Sequence, residues 1–172
     1  MYHITNYVTV TDTCCKHNLT KIVQDFKAGS FRPDEYSALT VKSVHPNCTM
    51  IMFASGNLTI MGATSKFNSL NRILDLKEKY NILCKNIRVT NIVCTSQLVD
   101  YEIDLMKIYK KWPQYCVYDP NLFPGCTVNI PDTCMKVNLF SSGKVVLSGG
   151  TNNETIQNGL QFVYNLILDV KI

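Results

Sequence analysis

The sequence predicts an α+β protein in which two pseudo-symmetric repeats form one curved antiparallel sheet, with helices on its convex face. Three observations predict it. One segment occurs twice, as FASGNLTIMGA from Phe53 to Ala63 and as FSSGKVVLSGG from Phe140 to Gly150. An aromatic residue stands 17 positions before each copy, Tyr36 before Phe53 and Phe123 before Phe140. Both halves also run in the same order of parts, which is the mark of a duplicated unit. The repeats are placed at 1–86 and 87–172. No stretch rich in Gly or Pro separates them, so they are expected to make one continuous unit.

Each element follows from its residues. ITNYVTV (Ile4–Val10) and VTNIVCT (Val89–Thr95) alternate apolar and polar, as half-buried strands do, and both carry Thr-Asn-x-Val. A helix is expected next in each half, NLTKIVQDFKA from Asn18 and DYEIDLMKIYKKW from Asp100, with Asn18 and Asp100 as caps. Proline loops follow, RPDEY (Arg32–Tyr36) and DPNLFPG (Asp119–Gly125). Then come three short strands per half: SALTVKSV, CTMIMF and NLTIMG, and later CTVNI, MKVNLF and KVVLSG. His45-Pro46-Asn47 and Pro131-Asp132 break the first strand pairs, and Ser55-Gly56 and Ser142-Gly143 supply tight hairpins. Each half closes with a helix. Phe67, Leu70 and Leu74 mark the apolar side of one, and Ile156, Leu160, Val163 and Ile167 that of the other.

Composition narrows the function. A chain of 172 residues, 46% hydrophobic, can bury a core, and its net charge of +4 permits a polyanionic partner without demanding one. No apolar run reaches a membrane span, and the first residues lack the pattern of a signal peptide. The eight cysteines show no CxxC pair, which points to reduced thiols, mostly buried, and away from structural zinc. Four Asn-x-Thr tripeptides reflect an Asn-rich chain. His3, His17 and His45 are not spaced as ligands or beside a nucleophile, and Ser142-Gly143-Lys144 lacks the upstream Gly of a phosphate loop. Catalysis is not expected.

Strand period two sorts the side chains. Met50 and Met52, Leu58 and Ile60, Val137 and Leu139, and Val145 and Leu147 turn toward the helices. Thr49, Ile51 and Phe53, Thr59 and Met61, Lys136, Asn138 and Phe140, and Val146 and Ser148 turn the other way. That open face mixes small apolar with uncharged polar groups and has aromatics near its ends. Such a surface suits the DNA minor groove, whose A·T pairs offer acceptors and no rich donor code. Aromatic side chains there can act as wedges between base steps.

YDPNLFPG followed by FSSGKVVLSGG, with NYVTVTDTCCKHNL and FASGNLTIMGA in the first half, resembles the conserved core of the TATA-box-binding protein family. The resemblance covers nearly the whole chain. It implies a saddle whose concave sheet sits on the minor groove of TATA-like double-stranded DNA, bends it, and nucleates transcription initiation. The wedge positions fall on Tyr36 and Phe53 and on Phe123, with Pro124 beside it, and Phe140; Tyr36 departs from the family's Phe. Asn6 and Asn91 match asparagines that donate to bases, and Val8 and Val93 the valines packed beside them. Thr59, Met61, Val146 and Ser148 take groove-lining positions, and Asn138 stands where the family has Leu.

Of six flanking positions that carry basic phosphate contacts in the family, only Lys42 and Lys144 are charged here; Asn129, Asn57, Thr64 and Thr151 are not. Asp119 and Leu122 match positions that meet transcription factor IIB, and Asn121 replaces an acidic residue. A IIB-like factor and other basal transcription factors are thus the implied partners. The resemblance implies no cofactor, metal, small-molecule substrate or membrane, and a place in the nucleus, or in a viral factory if the genome is viral. An alternative stays open on Tyr36, Met61 and Asn138: a related saddle that has lost TATA binding and serves as a protein-interaction or nucleic-acid-gripping module.

Overall fold

Ten strands and four helices make up the computed structural model, which describes residues 1–26, 28–45 and 47–171, Lys171 without its side chain. Lys27 and Pro46, part of the helix and strand-break readings, lie outside the described residues. The strands are β1 (Tyr2–Asp12), β2 (Gly29–Arg32), β3 (Tyr36–Val44), β4 (Asn47–Phe53), β5 (Asn57–Ala63), β6 (Lys85–Gln97), β7 (Cys116–Val117), β8 (Cys126–Asn129), β9 (Lys136–Leu139) and β10 (Lys144–Gly150). The helices are α1 (Leu19–Ile22), α2 (Lys66–Tyr80), α3 (Leu105–Lys111) and α4 (Asn153–Lys171).

The fold is a ten-stranded antiparallel sheet. Five strands follow in the order β2-β3-β4-β5-β1 and five in the order β6-β10-β9-β8-β7. The chain divides into two compact units, Thr5–Asn91, and Met1–Ile4 with Ile92–Ile172. The six strands that the sequence pattern marks after the proline loops are all present. The edge strands β2 and β7, with four and two residues, are too short to have shown a period.

In the Thr5–Asn91 unit, α2 covers one face of its strands. Met50, Met52, Leu58, Ile60 and Leu76 are fully buried between them. Ser69 Oγ donates to Thr9 Oγ1 at 2.7 Å, which satisfies two hydroxyls that the helix shuts away from water. Ser65 caps α2 by accepting from Asn68 N, and Asn81 ends it in the left-handed region at φ 53°. The predicted apolar side of α2 is wrong. Phe67 and Leu74 are exposed, and the helix instead buries Ser69, Arg72, Ile73 and Leu76. The reason is polar: Ser69 has Thr9 beneath it, and Arg72 reaches Asp75 at 3.8 Å, so two hydrophilic residues can occupy the inner stripe. Asn18 caps α1 as expected, through a 3.2 Å bond from Lys21 N. The helix is a single turn, followed by a 3-10 turn at Val23–Asp25 that lays Phe26 against Tyr80, ring centres 4.1 Å apart.

In the other unit, α4 presents Ile156, Leu160, Val163 and Ile167 to the strands, the stripe its spacing predicts. The second cap is Asp104, not Asp100: Asp104 Oδ1 accepts from Lys107 N at 3.1 Å, and α3 starts at Leu105. Leu105 and Ile108, three apart, are the buried pair of that helix, so the start of the apolar period decides between the two aspartates. Lys111 ties α3 to α4 through Asp169 at 2.8 Å. All eight cysteines are free thiols, with Cys48, Cys94, Cys116 and Cys126 buried; burial pushes the Cys94 thiol up to about 11.

Candidate nucleic-acid interface

The face of each half away from the helices is built by cross-strand registers. In the first half, Thr40, Ile51, Thr59 and Val10 stand opposite one another across β3, β4, β5 and β1. In the second, Thr127, Asn138, Val146 and Thr95 do so across β8, β9, β10 and β6. All eight are half-buried, while their sequence neighbours on these strands face the core. The next row is Lys42, Thr49 and Met61 in one half and Asn129, Lys136 and Ser148 in the other. The predicted residues Thr59, Met61, Val146 and Ser148 therefore sit side by side with partners on the open faces, as strand period requires.

Those rows also place the charged residues. Asn129 lacks the lysine of Lys42, but its cross-strand partner Lys136 supplies one in the same row. Period two had placed Lys136 on this face; only the register shows it beside Asn129. At the hairpin ends, Asp12 pairs with Asn57 and Gln97 with Lys144. Asp12 accepts from Cys14 Sγ, Asn86 Nδ2 and Cys14 N, and these bonds hold its carboxyl below the usual range. Thr64 and Thr151 are exposed, as are Asn57, Lys42 and Lys144.

The aromatic pairs come together. Tyr36 and Phe53 meet edge to face with centroids 6.3 Å apart, and Phe123 and Phe140 do the same at 5.8 Å. Tyr36 is 48% exposed and Phe123 39%, so each pair turns ring surface outward. Pro124 is exposed beside Phe123. Gly125 packs closely on the second pair: a Cβ there would lie 2.7 Å from Phe123 Cε1 and 3.1 Å from Phe140 Cε1.

Two amides on these faces have their oxygens occupied. Asn6 Oδ1 accepts from Gly62 N at 2.7 Å, and Asn138 Oδ1 accepts from Thr127 Oγ1 at 2.9 Å. Each is left with NH₂ hydrogens to donate outward. Val8 and Val93 share the half-buried side of β1 and β6 with Asn6 and Asn91. Away from these rows, Asp119 folds its loop by accepting from Asn121 N at 3.0 Å, with Leu122 N and Phe123 N bonded to its carbonyl. Leu122 is left 85% exposed.

A family model described as "Transcription factor TFIID (or TATA-binding protein, TBP)" matches residues 1–76 and 86–170. The TATA-box-binding protein-like 1 of Entamoeba histolytica is 27% identical over 97% of this chain and 79% of its own length. The TATA-box-binding protein of Acanthamoeba castellanii is 26% identical over 96% of this chain and 66% of its own. Among solved structures, Methanococcus jannaschii TBP superposes with a TM-score of 0.88 over 98% of both chains at 23% identity, which shows the fold. Fold, repeat and family match agree, and the chain belongs to the TATA-binding protein family of transcription factors.

Proposed function

We propose that this protein binds A·T-rich, TATA-like double-stranded DNA through the minor groove, bends it, and nucleates transcription initiation in the nucleus. The observation that carries the reading is the pair of edge-to-face aromatic contacts, Tyr36 with Phe53 and Phe123 with Phe140, at matching places in the two halves. Partly exposed rings are suited to enter between base steps. The faces beside them are uncharged at their centres, and Asn6 and Asn138 offer donors where A·T pairs offer acceptors. Val8, Val93, Thr59, Met61, Val146 and Ser148 line the groove floor, and Asn91 repeats Asn6. Lys42, Lys136 and Lys144 approach phosphates. The exposed Leu122, with Asp119 and Asn121, forms a docking point for a factor IIB-like partner.

A second reading rests on Asn138. Its bond to Thr127 places a polar pair in the middle of a floor that is apolar in the family, which favours a saddle that no longer selects TATA sequence. An electrophoretic shift separates the two. Binding to a TATA duplex at least about tenfold tighter than to a G·C-substituted duplex of the same length is expected. Equal binding to both, or binding to neither, overturns the TATA reading.

A further inference from the structure

We propose that His3 and Lys144 together hold one phosphate of the bound DNA, and that His3 makes this grip depend on pH. The proposal rests on the minor-groove reading above and adds to it one phosphate site and one proton.

A recess of about 470 Å³ opens beside the hairpin end of β10. His3 and Lys144 line it, with Met1, Tyr2, Thr95, Ser96 and Gln97. These residues come from β1, β6 and β10 and from the start of the chain, and none of them is acidic. His3 and Lys144 are both exposed. Among the described residues no carboxylate forms an ion pair with either. Most of the neutral donors are already used. Ser96 Oγ donates to Met1 O at 2.8 Å, and the Tyr2 hydroxyl donates to Asn153 Oδ1 at 3.0 Å. Gln97 Nε2 donates to Val99 O and to Ser142 O. What remains to meet a ligand is the Lys144 ammonium, the His3 imidazole and the Thr95 hydroxyl, with the terminal amine of Met1 as the further cation at this strand end. Like charges around one recess repel, and an anion placed between them turns the repulsion into attraction.

The two halves differ at this place in a consistent direction. Three residues before Asn91 stands Arg88, and three before Asn6 stands His3. Six residues after Asn6 is Asp12, and six after Asn91 is Gln97. Asn57 follows the first hairpin glycine and Lys144 the second. Arg88, Asp12 and Asn57 belong to the Thr5–Asn91 unit, and His3, Gln97 and Lys144 to the other. The second set thus has an amide for a carboxylate and a lysine for an amide, and both changes favour an anion. It also has an imidazole for a guanidinium. A guanidinium is always charged, whereas an imidazole changes charge between about pH 5 and 8. A protonated imidazole donates from both nitrogens and pairs with a phosphate oxygen; a neutral one offers a single N–H and no charge. The grip is therefore tighter at lower pH.

The test measures affinity of the full chain for a TATA duplex and for a G·C-substituted duplex at pH 6 and pH 8, each across a range of KCl. From pH 8 to pH 6 the parent protein should bind about fivefold tighter, and its log–log salt slope should steepen by about 0.9. The gain should be the same on both duplexes, because a phosphate contact carries no sequence information. His3→Gln should hold the pH 8 affinity at both pH values, and His3→Arg the pH 6 affinity at both. A terminal amine also changes charge in this range, so the variants assign the effect. Identical pH profiles for the parent and His3→Gln, or His3→Arg binding no tighter than His3→Gln, overturns the proposal. A pH gain that survives while TATA and G·C duplexes bind equally overturns the TATA reading and leaves the phosphate site standing. If neither duplex binds, the minor-groove reading fails, and inorganic pyrophosphate then decides on the recess. Added at pH 6, it should move the imidazole resonances of His3 ahead of those of His17 and His45, and an unmoved His3 overturns the site.

Discussion

Phe123 and Phe140 meet edge to face at 66°, and Gly125 lies so close that a Cβ on it would press on both rings. If this pair unstacks a base step, Phe140→Ala should lower both affinity for a TATA duplex and the bend. Energy transfer between dyes on the duplex ends measures the bend. Gly125→Ala should give a milder loss of the same kind, since its methyl displaces Phe123 without removing it. The second-half pair should matter more than Tyr36 and Phe53, because inserting a phenol strips water from its hydroxyl. An end-to-end distance in the Phe140→Ala complex equal to that of the parent complex counts against the wedge.

Asn6 is the second position to probe. Its oxygen is committed to Gly62 N, so its NH₂ is what remains for a base. Asn6→Ala should weaken TATA binding by about 1–3 kcal/mol, and Asn91→Ala should do the same. The melting temperature should move little, because Asn6 and Asn91 lie outside the buried core. A large fall in melting temperature with normal DNA binding would contradict the assignment.

Stability measurements can check which side of α2 faces inward. Leu76 is fully buried and Leu74 is 51% exposed, two residues apart on one helix. Leu76→Ala should cost about 2–5 kcal/mol, and Leu74→Ala under about 0.5 kcal/mol. Urea unfolding of both variants reads the difference directly. Comparable costs would mean that the outer side of this helix is covered.

That helix marks where the sequence stops being legible. Strands with one face in the core announced themselves, because Met50 and Met52 or Val137 and Leu139 alternate with smaller or polar residues. The hairpin glycines and the two aromatic pairs were legible for the same reason: each depends on residue type at a fixed spacing. The inner side of α2 was not. Phe67, Leu70 and Leu74 make a better apolar stripe than Ser69, Arg72, Ile73 and Leu76, and only the positions of Thr9 and Asp75 reverse the preference. Asp100 and Asp104 were equally good caps by type. Lys136 could be placed on the open face from period, but its position next to Asn129 depends on cross-strand register, which the linear sequence does not display.

Salt dependence follows from that register. Three exposed lysines, Lys42, Lys136 and Lys144, stand on the open faces or at their hairpin end. At ~0.9 released counterion per neutralised phosphate, the log–log slope of affinity against KCl should be about −2 to −4. Binding by the isolated protein should be modest at physiological salt, and a basic partner protein would add the missing grip. A slope steeper than about −6, or tight binding alone at high salt, would sink this idea.

The outermost strands of the sheet are also its shortest or among its shortest: four residues in β2 and two in β7. A free strand edge is a template on which another chain can add a strand and start a fibril, and brevity denies it the length. Two residues offer too few backbone groups to hold a foreign segment in register, and β2 ends at a charged Arg32 bonded to Glu35. This protein should therefore resist fibril formation even at concentrations where its exposed rings draw copies together. Whatever assembles on it must do so through side chains on faces and loops, where recognition is selective, and not through backbone pairing, which is indifferent to sequence.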